Sequence, residues 1–249
     1  MRVAGRMSAP VFVVTSAALV AGRVVVDGAE GHHAARVARL RAGEPVLLVD
    51  GAGRRGAGTV SAVAGDRVEV DVTAVVEEPV PAPRFVVVQA LPKGDRGELA
   101  CELMTEVGVD VVVPWAAARC VTRWRSDRAA KAVHKWRTSA CSAAKQSRRA
   151  RFPLVTEQAT TAEVCGLVGQ AALAAVLHEQ GTVALAGVDL PPTGDLVLVV
   201  GPEGGITQEE LGAFIAAGAV VCRLGDTVMR TSTAGAVALA VLSARTRWA

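Results

Sequence analysis

The chain has 249 residues, of which 51% are hydrophobic and 20% are charged, and this balance excludes a disordered protein. The length allows one large domain or two small ones, with a sizeable core in either case. No apolar run approaches the roughly 20 residues that a membrane-spanning helix needs, so we expect no membrane association.

The net charge of +3 conceals a local excess of positive charge. Eleven Lys/Arg residues and one acid, Asp127, lie between Arg119 and Arg151, whereas the rest of the chain holds 16 basic and 23 acidic residues. Such a block supplies the cations of a polyanion-binding surface and lacks the acidic i,i+4 partners of a self-paired helix. We therefore expect a nucleic-acid-binding face here; the alternative is a solvated amphipathic helix.

The N-terminal stretch has two interpretations. Arg2 and Arg6 precede an apolar run, as in a signal peptide. Pro10 interrupts that run, and Val11–Val14 suits an opening strand, which is the interpretation that we favour.

The five cysteines argue for a protein with reduced thiols. They are odd in number, widely spaced and without a CxxC pair, a pattern that fits neither a disulfide framework nor a zinc site. We therefore expect no metal and a cytoplasmic location.

Residues 11 to 80 are predicted to form a small β-rich module. Its one helix is expected over Glu30–Leu40, exposing Arg36, Arg39 and Arg41. The predicted strands are Val11–Val14, Val24–Val26, Val46–Val49, Thr59–Val63 and Val68–Val76.

The segment Gly51–Gly56, GAGRRG, matches the GxGxxG pattern of dinucleotide-binding proteins and follows a predicted strand. A dinucleotide-binding unit requires a helix after the glycines. Because Thr59–Val63 has a β pattern instead, we interpret the segment as a hairpin loop.

A proline-rich linker, Glu77–Arg84, separates this module from a second region in which strands alternate with helices. This alternation predicts a mostly parallel sheet with helices on both faces. The predicted strands are Phe85–Val88, Val109–Pro114, Ala171–Leu177, Leu196–Val200 and Ala219–Leu224, and the predicted helices are Gly97–Val107, Ser126 to about Arg148, Thr160–Val168 and Ala234–Arg245.

The helix patterns also predict buried faces and ends. Gly108 is expected to stop the helix over 97–107, and capping boxes are expected at Thr160 with Glu163 and at Thr207 with Glu210. The predicted inward residues are Leu99, Leu103 and Val107 in the helix over 97–107, and Ala129, Val133, Trp136 and Ala140 in the long basic helix.

Three strands in the C-terminal half end in loops that suit a ligand. The loops are Leu177-His178-Glu179, the GPEGG run Gly201–Gly205, and Leu224–Thr233. Because ligands of parallel α/β sheets bind beyond the carboxyl ends of the strands, we expect the three loops to converge on one pocket.

Two of these loops closely resemble the paired signature of a known family. GPEGGITQEEL (201–211) and LGDTVMRTSTAGAVAL (224–239) resemble the motifs of the RsmE family, bacterial 16S ribosomal RNA methyltransferases of the SPOUT superfamily. The resemblance extends to HHAARVARLRAGEPVLLVDG (32–51), PKGDRGELACELMTEVGV (92–109) and QSRRARFP (146–153).

The resemblance implies a fold and an activity. It implies a PUA-like RNA-binding β-barrel domain over residues 1–78 and a SPOUT methyltransferase domain over 79–249 with a C-terminal trefoil knot. The implied reaction is S-adenosylmethionine-dependent methylation of a uridine N3 in the 16S RNA of the small ribosomal subunit. A homodimer with the acceptor entering between subunits, and no metal, are also implied.

The same resemblance, with the chemistry of the residues, assigns site residues. Arg230 is expected to stabilise the uridine anion, and Glu203 to orient the base or assist its deprotonation. The expected cofactor-binding residues are Leu177, His178, Glu179, Val200, Gly201, Gly204, Gly205, Leu224, Gly225, Val228, Met229 and Thr231. The expected RNA-binding residues are Arg36, Arg39, Lys93, Arg96, Arg148 and Arg149.

The sequence departs from the family pattern at a few positions. Ser232 stands where the family usually has an acid, and Lys145 and Arg148 stand where glutamate and glycine are usual. These changes bear on proton transfer and RNA contact, so a catalytically silent RNA-binding or ribosome-assembly factor is an alternative. A different nucleotide-binding enzyme is another, although the chain has neither a GxxxxGK[ST] nor a GxSxG motif.

Overall fold

The computed structural model describes residues 9–124 and 126–248. Arg2 and Arg6 of the N-terminal stretch, and the side chain of Asp127, lie outside the described part. By its internal contacts the chain divides into two compact units. Unit 1 comprises Met1–Val80 and Ala144–Phe152, and unit 2 comprises Pro81–Ala143 and Pro153–Ala249.

The strands and helices follow the predicted order closely. The strands are β1 (Val11–Val13), β2 (Gly22–Val26), β3 (Pro45–Val49), β4 (Arg54–Ala64), β5 (Arg67–Glu77), β6 (Arg84–Ala90), β7 (Val111–Trp115), β8 (Leu154–Val155), β9 (Leu173–Leu177), β10 (Val183–Ala184), β11 (Asp195–Val200) and β12 (Val220–Arg223). The helices are α1 (Gly28–His32), α2 (Arg96–Val107), α3 (Ser126–Gln146), α4 (Thr161–Gln170), α5 (Gln208–Ala216) and α6 (Thr231–Ala244).

Unit 1 is built on a five-stranded sheet in the order β1-β3-β4-β5-β2. The β1–β3 pair is parallel and the other neighbours are antiparallel. One apolar cluster, including Phe12, Leu48 and Val70, fills the unit. A second cluster joins Val11 and Val49 to Ala150, so the segment 144–152 completes the core of this unit.

The glycine-rich segment after β3 is a hairpin turn, as predicted, and the dinucleotide-binding interpretation is wrong. The glycines lead directly into β4, which pairs antiparallel with β3. The Asp50 carboxylate accepts hydrogen bonds from the backbone N–H groups of Ala52 (2.8 Å) and Arg54 (3.0 Å). Gly53 has a φ of +116°, a backbone conformation that residues with a side chain rarely adopt, so this turn favours glycine.

The single helix predicted over Glu30–Leu40 is shorter than expected. Regular α-helix ends at His32, and the chain continues as a π-helical turn over His33–Val37. Arg39 then adopts a φ of +54°, a left-handed conformation that stops any further helix.

Unit 2 contains a seven-stranded sheet in the order β10-β12-β9-β11-β6-β7-β8, and every neighbouring pair is parallel. On one face, a Cβ at Gly235 of α6 would touch Met104 of α2 and Val87 of β6. On the other, Trp115 packs edge-to-face against Phe214 of α5, with ring centroids 5.3 Å apart. Because side chains alternate along a strand, helices cover both faces, as predicted.

Two predicted helix faces need correction. In α2 the buried residues are Gly97, Ala100, Cys101, Met104 and Thr105, while Leu99 is 43% exposed. The predicted Leu103 and Val107 are partly buried against the core, so only Leu99 was wrongly assigned inward; the fully buried stripe is centred on smaller residues and Met104. In α3, Val133, Trp136 and Ala140 are buried as predicted, but Ala129 is only half-buried.

Candidate functional site

The three loops predicted to carry a ligand site surround one cleft in unit 2. They follow β9, β11 and β12, which are neighbours in the sheet, so their carboxyl ends lie at one edge. The cleft has a volume of about 810 Å³, within the range of small-molecule sites. The predicted residues that line it are Leu177, His178, Glu179, Val200, Gly201, Glu203, Gly204, Gly205, Leu224, Gly225, Val228, Met229, Arg230 and Thr231.

The loop after β9 lies tightly against β12. The His178 N–H donates to the Cys222 carbonyl at 2.9 Å, and the Gln180 N–H reaches His178 Nδ1 at 3.1 Å. A Cβ on Gly181 would lie 2.5 Å from the Cys222 carbonyl carbon, so only glycine permits this crossing. The positions of His178 and Glu179 therefore depend on a glycine that the sequence analysis did not single out.

The glycines of the GPEGG loop serve the packing of the protein itself. A Cβ on Gly201 would lie 2.7 Å from Ile206 Cγ1, and one on Gly204 would lie 3.0 Å from Arg119 Cβ. Gly205 has a φ of +74°, which other residues rarely adopt. A Cβ on Gly225, in contrast, would meet nothing within 4 Å, so Gly225 is the glycine that leaves open space at the cleft.

The helix after GPEGG begins with the capping box predicted from the sequence. Thr207 Oγ1 accepts from the Glu210 N–H at 3.1 Å, and Glu210 Oε2 accepts from the Thr207 N–H at 3.0 Å. Glu210 is buried, and its other oxygen, Oε1, accepts from the Ala118 N–H at 2.8 Å. This carboxylate therefore joins the start of α5 to the segment after β7.

The third loop is held at the point where it enters α6. The Thr231 hydroxyl donates to the Gly201 carbonyl at 3.1 Å, and Gln89 Nε2 donates to the Thr231 carbonyl at 3.3 Å. Gln89 is fully buried at the end of β6. Arg230 is the N-cap residue of α6, and its side chain is exposed at the cleft.

Charges of both signs line the cleft. Arg119, Arg223 and Arg230 supply the guanidinium groups, and Glu179, Glu203 and Asp226 supply the carboxylates. Glu203 Oε1 accepts from the Lys93 N–H at 3.2 Å, which holds its carboxylate near the loop after β6. The exposed loop residue Val228 and the half-buried Met229 provide apolar surface beside these charges.

The predicted RNA-binding residues fall into both units. In unit 1, Arg36 donates to Asp66 at 2.8 Å, while Arg39 is exposed. Hydrogen bonds from His32 and then Arg36 hold the pKa of Asp66 below its usual value. Arg148 and Arg149 are also in unit 1, where both are half-buried and the Arg148 carbonyl accepts from Arg55.

The other two, Lys93 and Arg96, lie in unit 2 at the start of α2, where Lys93 is exposed and Arg96 is half-buried. Sequence reasoning did not single out Arg119, Gln89 or Glu210 as site residues. Gln89 is an amide in an otherwise apolar strand, and this polarity was the available signal.

Neither a metal-ligand cluster nor a membrane-spanning helix is seen in the described part of the chain. Within it, no group of three or more His, Cys, Asp or Glu side chains is placed to hold a metal ion. None of the helices found there has both the length and the apolar character of a transmembrane span.

Comparison with known proteins defines the class to which this fold and cleft belong. Residues 78–243 match the family model of an RNA methyltransferase domain, and residues 26–73 match that of an RNA methyltransferase PUA domain. The chain is thus an RNA methyltransferase family member with an associated PUA domain.

Individual relatives are more specific. The chain is 44% identical over 229 residues to ribosomal RNA small subunit methyltransferase E of Mycobacterium tuberculosis, covering 90% of this chain and 87% of the relative. It is 29% identical to the protein of the same name from Bacillus subtilis, covering 89% and 90% of the two chains. The chain belongs to the ribosomal RNA small subunit methyltransferase E family, which confirms the resemblance seen in its motifs.

A solved structure shares the whole fold. That of the ribosomal RNA small subunit methyltransferase E from Neisseria gonorrhoeae, bound to S-adenosyl methionine, has a TM-score of 0.85 and 25% identity. The match covers 96% of this chain and 98% of the other.

Proposed function

We propose that this protein transfers a methyl group from S-adenosylmethionine to N3 of a uridine in the 16S RNA of the small ribosomal subunit. The observation that carries the proposal is the convergence of the three predicted loops on one cleft in a chain of this family. The relatives are named for the small-subunit RNA, and the uridine N3 specificity comes from the motif resemblance.

The cleft fits the methyl donor. Its volume of about 810 Å³ accommodates a ligand of nucleoside size, and Gly225 leaves backbone open on one side. Leu177, Leu224, Val228 and Met229 offer apolar contact for an adenine ring, while His178, Glu179, Val200, Gly201, Gly204, Gly205 and Thr231 complete the wall. Bound S-adenosylmethionine supplies an electrophilic methyl group.

The protein's own residues then have to manage the acceptor. Uridine N3 loses a proton, and the resulting negative charge spreads over O2 and O4. We assign stabilisation of this charge to the exposed guanidinium of Arg230, because a preorganised cation favours the anionic state. Glu203, held by the Lys93 N–H, is assigned to orient the base or to assist proton removal.

The finer features of the fold belong to the same proposal. We place a trefoil knot at the C-terminus, because β12 lies outside β9 whereas α6 packs back against β11 and β6. Arg245, just after α6, donates to the Val188 carbonyl in the segment between β9 and β11, which supports threading past that segment. For unit 1 we propose a PUA-like β-barrel.

We propose a PUA-like RNA-binding domain over residues 1–78 and a methyltransferase domain over 79–249, with further RNA contacts made by the second domain. Within this division Arg36, Arg39, Lys93, Arg96, Arg148 and Arg149 contact RNA. The acceptor enters between the subunits of a homodimer, as the motif resemblance implies. The reaction takes place in the cytoplasm, where the RNA substrate is made.

Calorimetry with S-adenosylmethionine and turnover on small ribosomal subunits together test the proposal. We expect donor binding, and we expect Arg230→Ala to leave it nearly intact while removing most turnover. Equal loss of both would make Arg230 a donor-pocket residue. A protein that binds small-subunit RNA but not the donor at about millimolar concentration is instead a silent RNA-binding factor.

The specific product is tested in cells. Mass spectrometry of 16S RNA from a deletion strain is expected to show one methylated uridine lost, and complementation with the wild-type chain is expected to restore it. An unchanged methylation pattern would contradict the assignment of the substrate.

A further inference from the structure

The loops that follow β6, β7 and β11 are tied together beside the cleft. The Lys93 N–H donates to Glu203 Oε1 at 3.2 Å, the Thr122 hydroxyl donates to the Pro92 carbonyl at 2.8 Å, and Arg119 Nη1 donates to the Gly204 carbonyl at 3.2 Å. Three hydrogen bonds thus fix the three loops to one another. We call the exposed cations on these loops, Lys93, Arg119 and Arg123, the cationic rim.

The rim differs from three cations of α3, each of which has an acidic partner. Lys135 pairs with Glu98 at 3.8 Å, Arg137 with Glu157 at 2.8 Å, and Lys145 with Glu30 at 2.6 Å. Within the part of the chain that the structure describes, no acidic side chain forms an ion pair with a member of the rim. The charge of the rim is therefore not neutralised by an ion pair among the described residues, in contrast to that of Lys135, Arg137 and Lys145.

Arg119 has the most defined position of the three. Its backbone is held from the preceding residue, because the Ala118 N–H donates to buried Glu210. Its guanidinium bonds to the Gly204 carbonyl and lines the cleft. A guanidinium has five N–H donors in a planar fork, so the remaining donors of Arg119 are available for a bidentate anion such as phosphate.

The neighbouring residues favour nucleic acid over other anions. Arg123 and Trp124 line a separate cavity of about 200 Å³ that also borders Cys120, next in sequence to Arg119. Trp124 is fixed edge-to-face against Trp136, with centroids 5.1 Å apart. An aromatic face of this kind stacks unpaired bases. One short segment thus carries exposed cations beside the cleft and a half-buried tryptophan at the edge of a neighbouring cavity.

We propose that Arg119, assisted by Arg123, binds the RNA backbone phosphate adjacent to the nucleotide that enters the cleft. This inference rests on the proposed function for the identity of the anion. It places this RNA contact of unit 2 on the rim, where Arg119 lies against Gly204, and not along α3.

The test is the salt dependence of RNA binding by the full chain, with bacterial 16S RNA as the probe. For Arg119→Ala the slope of log affinity against log salt is expected to become shallower by about 0.7–0.9, the value for one lost phosphate contact. Arg119→Lys keeps the charge and is expected to keep the slope while lowering affinity, because a lysine cannot bind phosphate bidentately. Because Arg119 also lines the cleft, donor affinity is measured in the same variants, and the loss of RNA affinity is expected to exceed any loss of donor affinity.

Lys131→Ala is the matched control. Lys131 is an exposed cation of the same basic block, on α3, and alanine is a good helix former there. We expect no change in its salt slope. A slope that changes for Lys131→Ala but not for Arg119→Ala or Arg123→Ala would move the RNA contact to α3 and overturn the inference.

Two other results separate this inference from the proposed function. If Arg119→Ala lowers donor affinity as much as RNA affinity, Arg119 is a donor-pocket residue and the inference fails while the function stands. If wild-type protein binds RNA with an Arg119-dependent slope but does not bind the donor, the function fails while the phosphate contact stands.

Discussion

Glu210 connects two parts of the site through one buried carboxylate. Its oxygens accept hydrogen bonds from the N–H groups of Ala118 and Thr207 and from the Thr207 hydroxyl. Removing the carboxylate leaves these partly buried donors without their acceptor, which is more costly than the loss of a fully exposed bond. The residue therefore contributes to stability and also positions the segment that carries Arg119.

We expect Glu210→Ala to lower the free energy of unfolding by about 3 kcal/mol, because several partly buried bonds to a charged acceptor are lost. Urea denaturation measures this change. Glu209→Ala is the control, since Glu209 is exposed in the same first turn, and we expect its effect to be below about 1 kcal/mol. Equal effects would show that Glu210 acts only through the helix dipole.

The cleft residues that directly follow a strand in the sequence could be predicted. Loops such as GPEGG follow apolar runs, and their convergence follows from a parallel sheet. Arg119 was not predictable in the same way, because its partner Gly204 is 85 positions away and no local pattern reports that contact. Gln89 and Glu210 act through similarly distant partners.

At the scale of elements, the β3–β4 hairpin depends on Asp50. Burial alone would raise the pKa of Asp50, but hydrogen bonds from the Arg54 and Ala52 N–H groups and from Ser16, with the charge of Arg54, lower it overall. A lowered carboxyl pKa means that the charged form stabilises the folded state above the unfolded pKa. That stabilisation is lost as the pH falls through the folded pKa.

Asp50→Asn should therefore destabilise the protein most near neutral pH, and the difference from wild type should shrink as the pH falls below about 4. Urea midpoints measured across this pH range test the expectation. Asp27→Asn is the control, since Asp27 is exposed and makes no side-chain capping bond, and we expect a small difference that does not vary in this way. A constant gap for Asp50→Asn would show that its charge is unimportant.

The packing of α2 explains why part of its inward face was predicted incorrectly. A Cβ on Gly97 would lie 2.4 Å from the Trp136 ring, so the helix approaches α3 through its smallest residue. Sequence periodicity follows large apolar side chains and does not detect a contact made by the absence of one. Leu99 was accordingly assigned inward, although it is exposed.

Two glycine substitutions are expected to have opposite signs. Gly97→Ala should destabilise the protein despite the helix propensity of alanine, because the added Cβ meets the Trp136 ring. Gly166→Ala, in α4 where a Cβ would meet nothing within 4 Å, should stabilise it by up to about 1 kcal/mol. Thermal unfolding of the two variants measures both. A stable Gly97→Ala protein would contradict the close packing of α2 against Trp136.

At the scale of the whole molecule, the two compact units are not separated by a single boundary in the sequence, because unit 1 is built from two segments. The linker predicted over Glu77–Arg84 does mark the start of the parallel sheet, because a change in composition accompanies it. The return of Ala144–Phe152 to unit 1 was not predictable, since this segment directly continues the basic helix α3. The segment contributes only a few apolar side chains to unit 1, but one of them, Ala150, is fully buried there, with 0% exposure.

A fragment of residues 1–80 is therefore expected to be unstable alone. It lacks Ala150 and Phe152, which cover Val11, Leu47 and Val49, and it lacks the bonds from Gly53 to Ala150 and from Phe152 to Gly51. Circular dichroism during heating is expected to show a low, broad transition. The same fragment with residues 144–152 joined through a flexible linker should unfold at a higher temperature; equal behaviour of the two would show that the segment is dispensable.

The same interrupted unit affects the order of events during synthesis. Residues 81–152 must leave the ribosome before unit 1 can close its core, which takes several seconds at about 5–20 residues per second. During that interval the sheet face around Leu47 and Val49 lacks its cover. The nascent chain thus presents a temporary apolar surface to chaperones, and the N-terminal unit finishes folding only after α3 has been made.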